Sequence, residues 1–426
     1  MKRDSKQPLL SIVIPTRERG RYLKHSLNTT LACASERVEI LVSDNASEDN
    51  TASLFKTQRY QQVKYVRTAK RVSICANFES AFQNASGKHI LCVGDDDAVL
   101  PSGIADLLEL LETKSPCIVS WPQIPYYWPS RNADGFLKIK RRHLRGGTEE
   151  RSPQETMRAI CAGDWGGSSF LCGCVSKALV QRITEKAGRF FYYSIPDASW
   201  FATLAFANSY FHLNRPVTVS GTSPASNRMA LHSPASNAYA AFVHENSNAA
   251  EKNWLDLRSR SIFAFGLDGL MVTRRIFQLP GAPINAEKWK DRILGDIASM
   301  PGSIRDTQIC FVNRWLAKNG IKPIDRSLIE CSPPEASNGW RQSRRIPPRV
   351  SLSSVVIPAR PNFIENVESA VLTAENLIGD AALDHPAALP IAYVRWFKLM
   401  KAARFLQGKN RKAMMQPMEC VHPAIS

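Results

Sequence analysis

Apolar and polar positions along the first hundred residues repeat in an order of strand, then helix. Short apolar runs occupy residues 9–15, 38–43, 63–66 and 88–93. Between them, apolar side chains recur every three or four residues, which is the spacing of one buried helix face. Strands separated by helices in this way form a mainly parallel sheet. The pattern therefore predicts an α/β fold with a Rossmann-like layered architecture.

Polar residues directly follow three of these predicted strands. They are, in chain order, Thr16 with Arg17, Asp44 with Asn45, and the triplet Asp95, Asp96 and Asp97. Because neighbouring parallel strands end at the same edge, these side chains should lie together on one rim of the sheet. Ligands of open α/β sheets bind at that rim.

The triplet at residues 95–97 carries the clearest chemical signal. Carboxylates packed this closely repel one another, and burial raises their pKa values. A hard cation such as Mg²⁺ or Mn²⁺ would balance them, because such ions take oxygen ligands. The alternative is an acidic surface turn that opens the helix predicted after Leu100. The triplet alone leaves both interpretations open.

Composition limits the classes of partner. The chain has 426 residues, 44% of them hydrophobic, and a formal net charge of +17, which favours anionic partners. No nucleic-acid-binding motif accompanies that charge, so nucleic acid is not the expected partner. The ten cysteines are scattered and lack zinc or redox spacing. Reduced thiols, with no signal-like N-terminus and no apolar run of about 20 residues, predict a cytoplasmic protein.

The pattern changes beyond the first domain. We expect a domain over residues 1–232, a helical extension over 233–330, a linker over 331–350 and a C-terminal segment over 351–426. Residues 122–151 read as irregular, either a solvated basic loop or a lid over an acceptor. Basic and apolar residues alternate from 390 to 412, which predicts an amphipathic helix. That helix could dock on its own domain or lie on an anionic membrane surface.

Three motifs resemble family 2 glycosyltransferases with the GT-A fold. They are SIVIPTR at 11–17, EILVSDNASEDNT at 39–51 and GKHILCVGDDD at 87–97, in the family's order and spacing over roughly the first 110 residues. The resemblance implies a three-layer α/β sandwich. It also implies metal-dependent, hexosyltransferase-type transfer from a nucleoside diphosphate sugar with inversion. The acceptor would be a glycan or a lipid-linked sugar of the cell surface or envelope.

The resemblance also assigns candidate roles to individual residues. Contacts with the nucleotide sugar are expected from Pro15, Thr16, Arg17, Asp44, Asn45, Arg71, Asn77 and Asp95. Asp96 and Asp97 would hold the divalent metal, with Asp96 as the best single ligand.

Asp197 is the candidate general base. It follows an aromatic stretch, precedes an apolar helix and lies about as far beyond the triplet as the base does in the family. A sugar hydroxyl is a poor nucleophile, and a carboxylate that takes its proton typically contributes about 10²–10⁴-fold. The alternative is a simple helix N-cap.

Two other functions fit parts of the sequence. A sugar nucleotidyltransferase also combines such a sheet with metal carboxylates, but it usually has a loop with glycine and lysine after the first strand. Residues 15–21 contain Gly20 and no lysine. A non-catalytic protein that binds nucleotides or glycans with the same fold is the second alternative.

Overall fold

The computed structural model describes residues 7–131, 133–144, 146–165, 171, 173–231, 237–247, 255–279, 283–325, 349–351, 353–379, 393 and 396–398. The strands are β1 (Leu10–Thr16), β2 (Val38–Asp44), β3 (Lys64–Arg67), β4 (His89–Cys92), β5 (Ala98–Val99), β6 (Ile118–Ser120), β7 (Ile124–Tyr127), β8 (Phe136–Lys140), β9 (Thr148–Arg151), β10 (Gly173–Ser176), β11 (Tyr210–Leu213), β12 (Thr218–Thr222), β13 (Arg349–Val350) and β14 (Ser354–Pro358). The α-helices are α1 (Gly20–Leu31), α2 (Thr51–Leu54), α3 (Ile74–Asn84), α4 (Pro101–Lys114), α5 (Pro153–Cys161), α6 (Lys177–Ala187), α7 (Ala198–Phe206), α8 (Asn227–Leu231), α9 (Asn237–Ser247), α10 (Ile262–Ile276), α11 (Ala286–Ala298), α12 (Gly302–Lys318) and α13 (Val367–Gly379).

The central sheet has eight strands in the order β3-β2-β1-β4-β10-β6-β11-β9. The first four are parallel, as their alternation with helices predicts. Strands β1 and β4 are buried along their whole length, which is why their sequences are continuously apolar and not alternating. The predicted α/β class is confirmed.

Strand β10 runs antiparallel between β4 and β6 and extends the sheet beyond the triplet. Strand β11 is parallel to β6, and β9 closes the edge in the antiparallel direction. Helix α7 lies just before β11 in the chain and packs against α5, α6 and α10. This half of the sheet therefore brings the start of α7 near the end of β4.

A second sheet has six strands in the order β13-β14-β8-β7-β12-β5. The expectation of an irregular segment over 122–151 is wrong, because β7, β8 and β9 lie within it. Proline at 125 and the turn between β7 and β8 interrupt the alternation from which these strands would be recognised. Strand β14 pairs with β8 between that strand and β13, and α13 packs on α1. Residues 354–360 have the sequence SVVIPAR, which is similar to SIVIPTR of β1, and their first five residues form this added strand.

Helices α10, α11 and α12 lie in the predicted helical region; α10 packs on α7 and on α11, and α11 packs on α12. Asp268 of α10 is fully buried and holds this region together. Its carboxylate accepts hydrogen bonds from the hydroxyl of Tyr193 at 2.7 Å, the indole of Trp315 at 2.8 Å and the amide of Leu255 at 3.1 Å. A buried charge is tolerated when its lone pairs are used in this way.

The C-terminal amphipathic segment is described only at residue 393 and at 396–398. Tyr393 and Trp396 are buried in the same core cluster as Val355 and Val371. Their burial supports docking on the chain's own domain. Residues 331–348 of the predicted linker lie outside the described residues, and Arg349–Val350 form β13. Within the described ranges, no helix is both long and apolar enough to cross a membrane.

Candidate active site

The polar residues that follow the parallel strands lie together at the carboxyl ends of those strands, on one rim of the central sheet. In the register of the sheet, Thr16 lies beside Asp44, and Asp44 lies beside Arg67. Strand β4 is paired with the other side of β1 and delivers the triplet to the same edge. The sequence prediction that these residues share a rim is therefore correct in its geometry.

Asp95 is the central acceptor of this rim and is only 2% exposed. It accepts a hydrogen bond from the hydroxyl of Thr16 at 2.8 Å and forms an ion pair with Arg19 at 2.9 Å. Arg19 also donates to the carbonyl of Ala225 and to the side chain of Asn227. Burial lowers the pKa of Arg19, but the charges of Asp95 and Asp96 more than offset this effect and leave it raised.

Asp97 accepts hydrogen bonds from backbone amides around the triplet. Its two carboxylate oxygens accept the amides of Gly221 at 2.7 Å and Gly94 at 3.1 Å. Burial, followed by the charge of Asp96, raises the pKa of Asp97 to about 8. The predicted metal ligand Asp97 thus has both oxygens engaged in joining β12 to the end of β4.

Asp96 has more acceptor capacity left than its neighbours. One oxygen accepts the amide of Ser223 at 3.1 Å, and a carboxylate has about four acceptor sites. Burial, then the charge of Asp95, raises the pKa of Asp96 against the opposing charge of Arg19. A cation beside Asp96 would favour its charged form and so oppose that shift, and the residue fits the predicted metal.

A metal held by the protein alone is not what the geometry indicates. Among the described residues, no group of three or more His, Cys, Asp and Glu side chains is arranged to hold an ion. Mg²⁺ commonly uses one or two carboxylates together with substrate phosphates. The carboxylate of Asp96 fits that second arrangement.

Asp44 lies fully buried at the end of β2. It accepts the hydroxyl of Tyr65 at 2.5 Å and the amide of Ser47 at 3.0 Å, with Arg67 at 3.5 Å. Burial and the hydrogen bond to Asp44 raise the pKa of Tyr65. Asp44 is thus a fixed carboxylate within a closed network.

Two side chains that are predicted to contact the ligand, Asn45 and Asn77, form hydrogen bonds within the protein. The side chain of Asn45 pairs with Val72, accepting its amide at 2.9 Å and donating to its carbonyl at 2.8 Å. Asn77 accepts the hydroxyl of Ser43 at 2.9 Å and donates to its carbonyl at 3.1 Å. These amides shape the loops around the rim.

The remaining candidates after β1 and β3 are arginines in ion pairs. Arg17 contacts Glu245 of α9 at 2.5 Å, across 228 positions of sequence. Arg71 contacts Glu18 at 2.6 Å and is 44% exposed. Pro15 precedes them within β1.

Asp197 stands at the start of α7 and is half-buried. Its side chain makes no capping hydrogen bond to the helix, which disfavours the simple N-cap alternative. Burial raises the pKa of the Cys92 thiol, and the charges of Asp97 and Asp197 add to this effect. The Asp197 carboxylate therefore lies close enough to the end of β4 for its charge to influence Cys92.

Sequence reasoning missed Arg19 and Glu245. Arg19 had a signal, because it lies two residues after Arg17 in the loop that follows β1. Glu245 had no such signal, because it lies 228 positions from Arg17 in sequence and contacts it only in the folded chain.

Comparison with known proteins agrees with the motifs. Residues 11–171 match the sequence model of Glycosyl transferase family 2. Glycosyltransferase GlyG of Streptococcus pneumoniae is 25% identical over 190 residues, which are 43% of this chain and 62% of that protein. Abequosyltransferase RfbV of Salmonella typhimurium is 30% identical over 112 residues, 25% of this chain and 34% of that protein. The match thus spans between a third and about three fifths of these relatives.

Among solved structures, S. aureus TarS 1-349 in complex with UDP-GlcNAc aligns with a TM-score of 0.43 and 13% identity. The alignment covers 73% of this chain and 87% of that one, and its score is too low to transfer a ligand or an activity. The family match and the observed sheet confirm the predicted GT-A type α/β fold. Residues 11–171 of this chain are thus similar in sequence to Glycosyl transferase family 2.

Proposed function

We propose that this protein transfers a hexosyl group from a nucleoside diphosphate sugar to an acceptor hydroxyl, with inversion at the anomeric carbon. One observation carries the proposal. Buried acidic side chains converge with Arg19 at the ends of the parallel strands, and Asp197 at the start of α7 lies near the end of β4. A diphosphate needs cations near it, and a sugar hydroxyl needs a base.

The nucleoside would lie along the ends of β1 and β2. Thr16 and Asp44 offer polar groups that are held in place before any ligand arrives. Arg17 supplies a planar guanidinium that can stack on a base. Asn45, paired with the backbone of Val72, and Asn77, paired with the hydroxyl and carbonyl of Ser43, would act by positioning those residues.

The diphosphate would lie at the triplet. Asp96 would hold a Mg²⁺ or Mn²⁺ ion, while Asp97 keeps β12 in place beside it. Such an ion supplies positive charge that stabilises the departing diphosphate. Arg19 is a second positive group within reach of the triplet, and Thr16 orients Asp95.

Asp197 would take the proton from the acceptor hydroxyl. An inverting transfer needs its base on the face of the sugar opposite the leaving diphosphate. Asp197 is a half-buried carboxylate at the start of α7, and its side chain does not cap that helix.

The acceptor is proposed to be a glycan or a lipid-linked sugar of the cell envelope, reached from the cytoplasmic side. The net charge of +17 suits a phosphate-bearing acceptor or an anionic membrane surface. Burial of Trp396 assigns the described part of the C-terminal segment to docking. Any membrane contact would then come from other basic surfaces.

A donor screen tests this function. The protein is incubated with UDP-, GDP-, CDP- and dTDP-sugars, with Mn²⁺ or with a chelator, and release of the nucleoside diphosphate is measured. We expect metal-dependent release from at least one donor. Binding without any release, in the presence of candidate acceptors, would favour a non-catalytic binding protein.

A further inference from the structure

The side chains proposed to meet the donor are covered. Thr16 is 3% exposed, Asp44 is fully buried and Asp96 is 6% exposed. A diphosphate cannot contact such groups unless something moves. A segment of the chain therefore lies over the rim, and its contacts hold it there.

The cover consists of residues 223–231 and 237–247, here named the cover segment. Its first part is tied to the triplet, since Ser223 donates its amide to Asp96 at 3.1 Å. Arg19 then holds Ala225 through the carbonyl and Asn227 through the side chain at 2.9 Å. Helices α8 and α9 pack against each other within this segment.

The second tie is the ion pair between Arg17 and Glu245 of α9. Their side chains are 25% and 13% exposed, so the pair is shielded from solvent. One guanidinium nitrogen of Arg17 meets both carboxylate oxygens, at 2.6 and 2.5 Å. A shielded pair of opposite charges at this distance attracts more strongly than an exposed surface pair.

Glu245 and a donor therefore compete for the same cation. While Glu245 neutralises Arg17, the positive field that would attract a diphosphate is reduced, and α9 stays over the rim. Apparent affinity for a ligand falls in proportion to the fraction of molecules in the open state. Loosening the pair should raise that fraction.

We infer that the Arg17–Glu245 ion pair is an autoinhibitory latch, which holds the cover segment over the donor site until an anionic ligand takes the place of the Glu245 carboxylate. The identity of that ligand as a nucleoside diphosphate rests on the proposed function. The latch itself is a property of the free protein.

The first test measures hydrogen–deuterium exchange in α9 of the full chain without ligand. Glu245→Gln and Arg17→Gln each break the pair, and both should speed exchange over residues 237–247. Glu112→Gln is the matched control, because Glu112 pairs with Arg37 at 2.6 Å just before β2, at the opposite edge of the sheet. Unchanged exchange in both latch variants would overturn the inference.

The second test measures the association rate of inorganic pyrophosphate by stopped flow in the presence of Mn²⁺, because the proposed site holds the diphosphate through a metal at Asp96. Both changes raise the open fraction, but Arg17→Gln also removes the cation that the ligand would contact. The latch therefore predicts association about five- to tenfold faster in Glu245→Gln and no slower than wild type in Arg17→Gln. Charge alone predicts opposite effects, faster in Glu245→Gln and slower in Arg17→Gln, and that result would overturn the latch. If pyrophosphate binds neither wild type nor variants, the proposed donor site is wrong, while the exchange data still decide on the latch.

Discussion

The hydroxyl of Thr16 donates a hydrogen bond of 2.8 Å to Asp95, joining two strand ends that are 79 residues apart in sequence. The contact links the first motif of the family to the third. Because both groups are nearly inaccessible to solvent, their geometry exists before a ligand binds. A preorganised rim of this kind is what a phosphate-transfer or glycosyl-transfer site requires.

Asp197→Asn tests the proposed base. The substitution keeps size and polarity but removes the group that accepts a proton. We expect donor affinity to be retained and turnover to fall by about 10²–10⁴-fold. Asp106→Asn, which changes a carboxylate paired with Arg215, is the control and should leave turnover unchanged. Full activity in Asp197→Asn would remove this residue from the mechanism.

Arg19→Met tests the electrostatic balance of the rim. The change leaves Asp95 buried without its positive partner, and breaking a buried ion pair costs about 3–5 kcal/mol of unfolding free energy. Chemical denaturation of the variant measures this loss. Arg37→Met, which breaks the exposed pair with Glu112, should cost about 0–1 kcal/mol. Equal losses in the two variants would contradict a special role for Arg19.

His143 predicts a pH dependence of stability. Burial, with the charges of Arg142 and Lys140, lowers the pKa of His143 to about 3, and its Nδ1 accepts the amide of Lys140 at 3.2 Å. The unfolded chain takes up a proton near pH 6.5, whereas the folded one does not. Stability is therefore complete above pH 6.5 and falls as pH decreases from 6.5 toward 3.

The measurement is the slope of unfolding free energy against pH between 6.5 and 5, in wild type and in His143→Asn. One proton changes the slope by at most about 1.4 kcal/mol per pH unit. The variant should show the smaller slope, since it lacks the titrating ring. Identical slopes would mean that His143 titrates alike in the folded and unfolded chain.

Trp396→Ala distinguishes the two interpretations of the C-terminal segment. Trp396 is 5% exposed, so its removal from a docked position should lower the unfolding free energy by about 3–5 kcal/mol. Lys398→Ala, at an exposed position nearby, should have little effect. Unchanged stability together with weaker binding to anionic vesicles would favour the interfacial alternative.

The sequence predicted the first four strands well because each is a continuous apolar run that ends in a polar loop. Their order along the chain implied parallel pairing, and the rim of Thr16, Asp44 and Asp95 followed from it. Strands β7 and β8 escaped recognition because Pro125 and charged Lys138 and Lys140 interrupt their apolar positions. Which of these residues faces the core is decided by the partner strand.

The functions of individual side chains were harder to predict. A pattern identifies Asn45 as polar and near a ligand, but only the structure shows that Val72 takes both of its amide groups. Similarly, the Arg17–Glu245 pair spans 228 positions and has no local signature. Long-range pairing depends on how α9 returns to the sheet.

A cation at Asp96 is tested most directly by calorimetric titration of nucleoside diphosphate sugars into wild type and Asp96→Asn, each with and without Mn²⁺. We predict that Mn²⁺ strengthens donor binding to wild type and that this gain is lost in Asp96→Asn. The control Asp106→Asn should behave as wild type. Donor binding that is independent of Mn²⁺ in wild type, or equally metal-dependent in Asp96→Asn, would contradict a cation at the rim of the sheet.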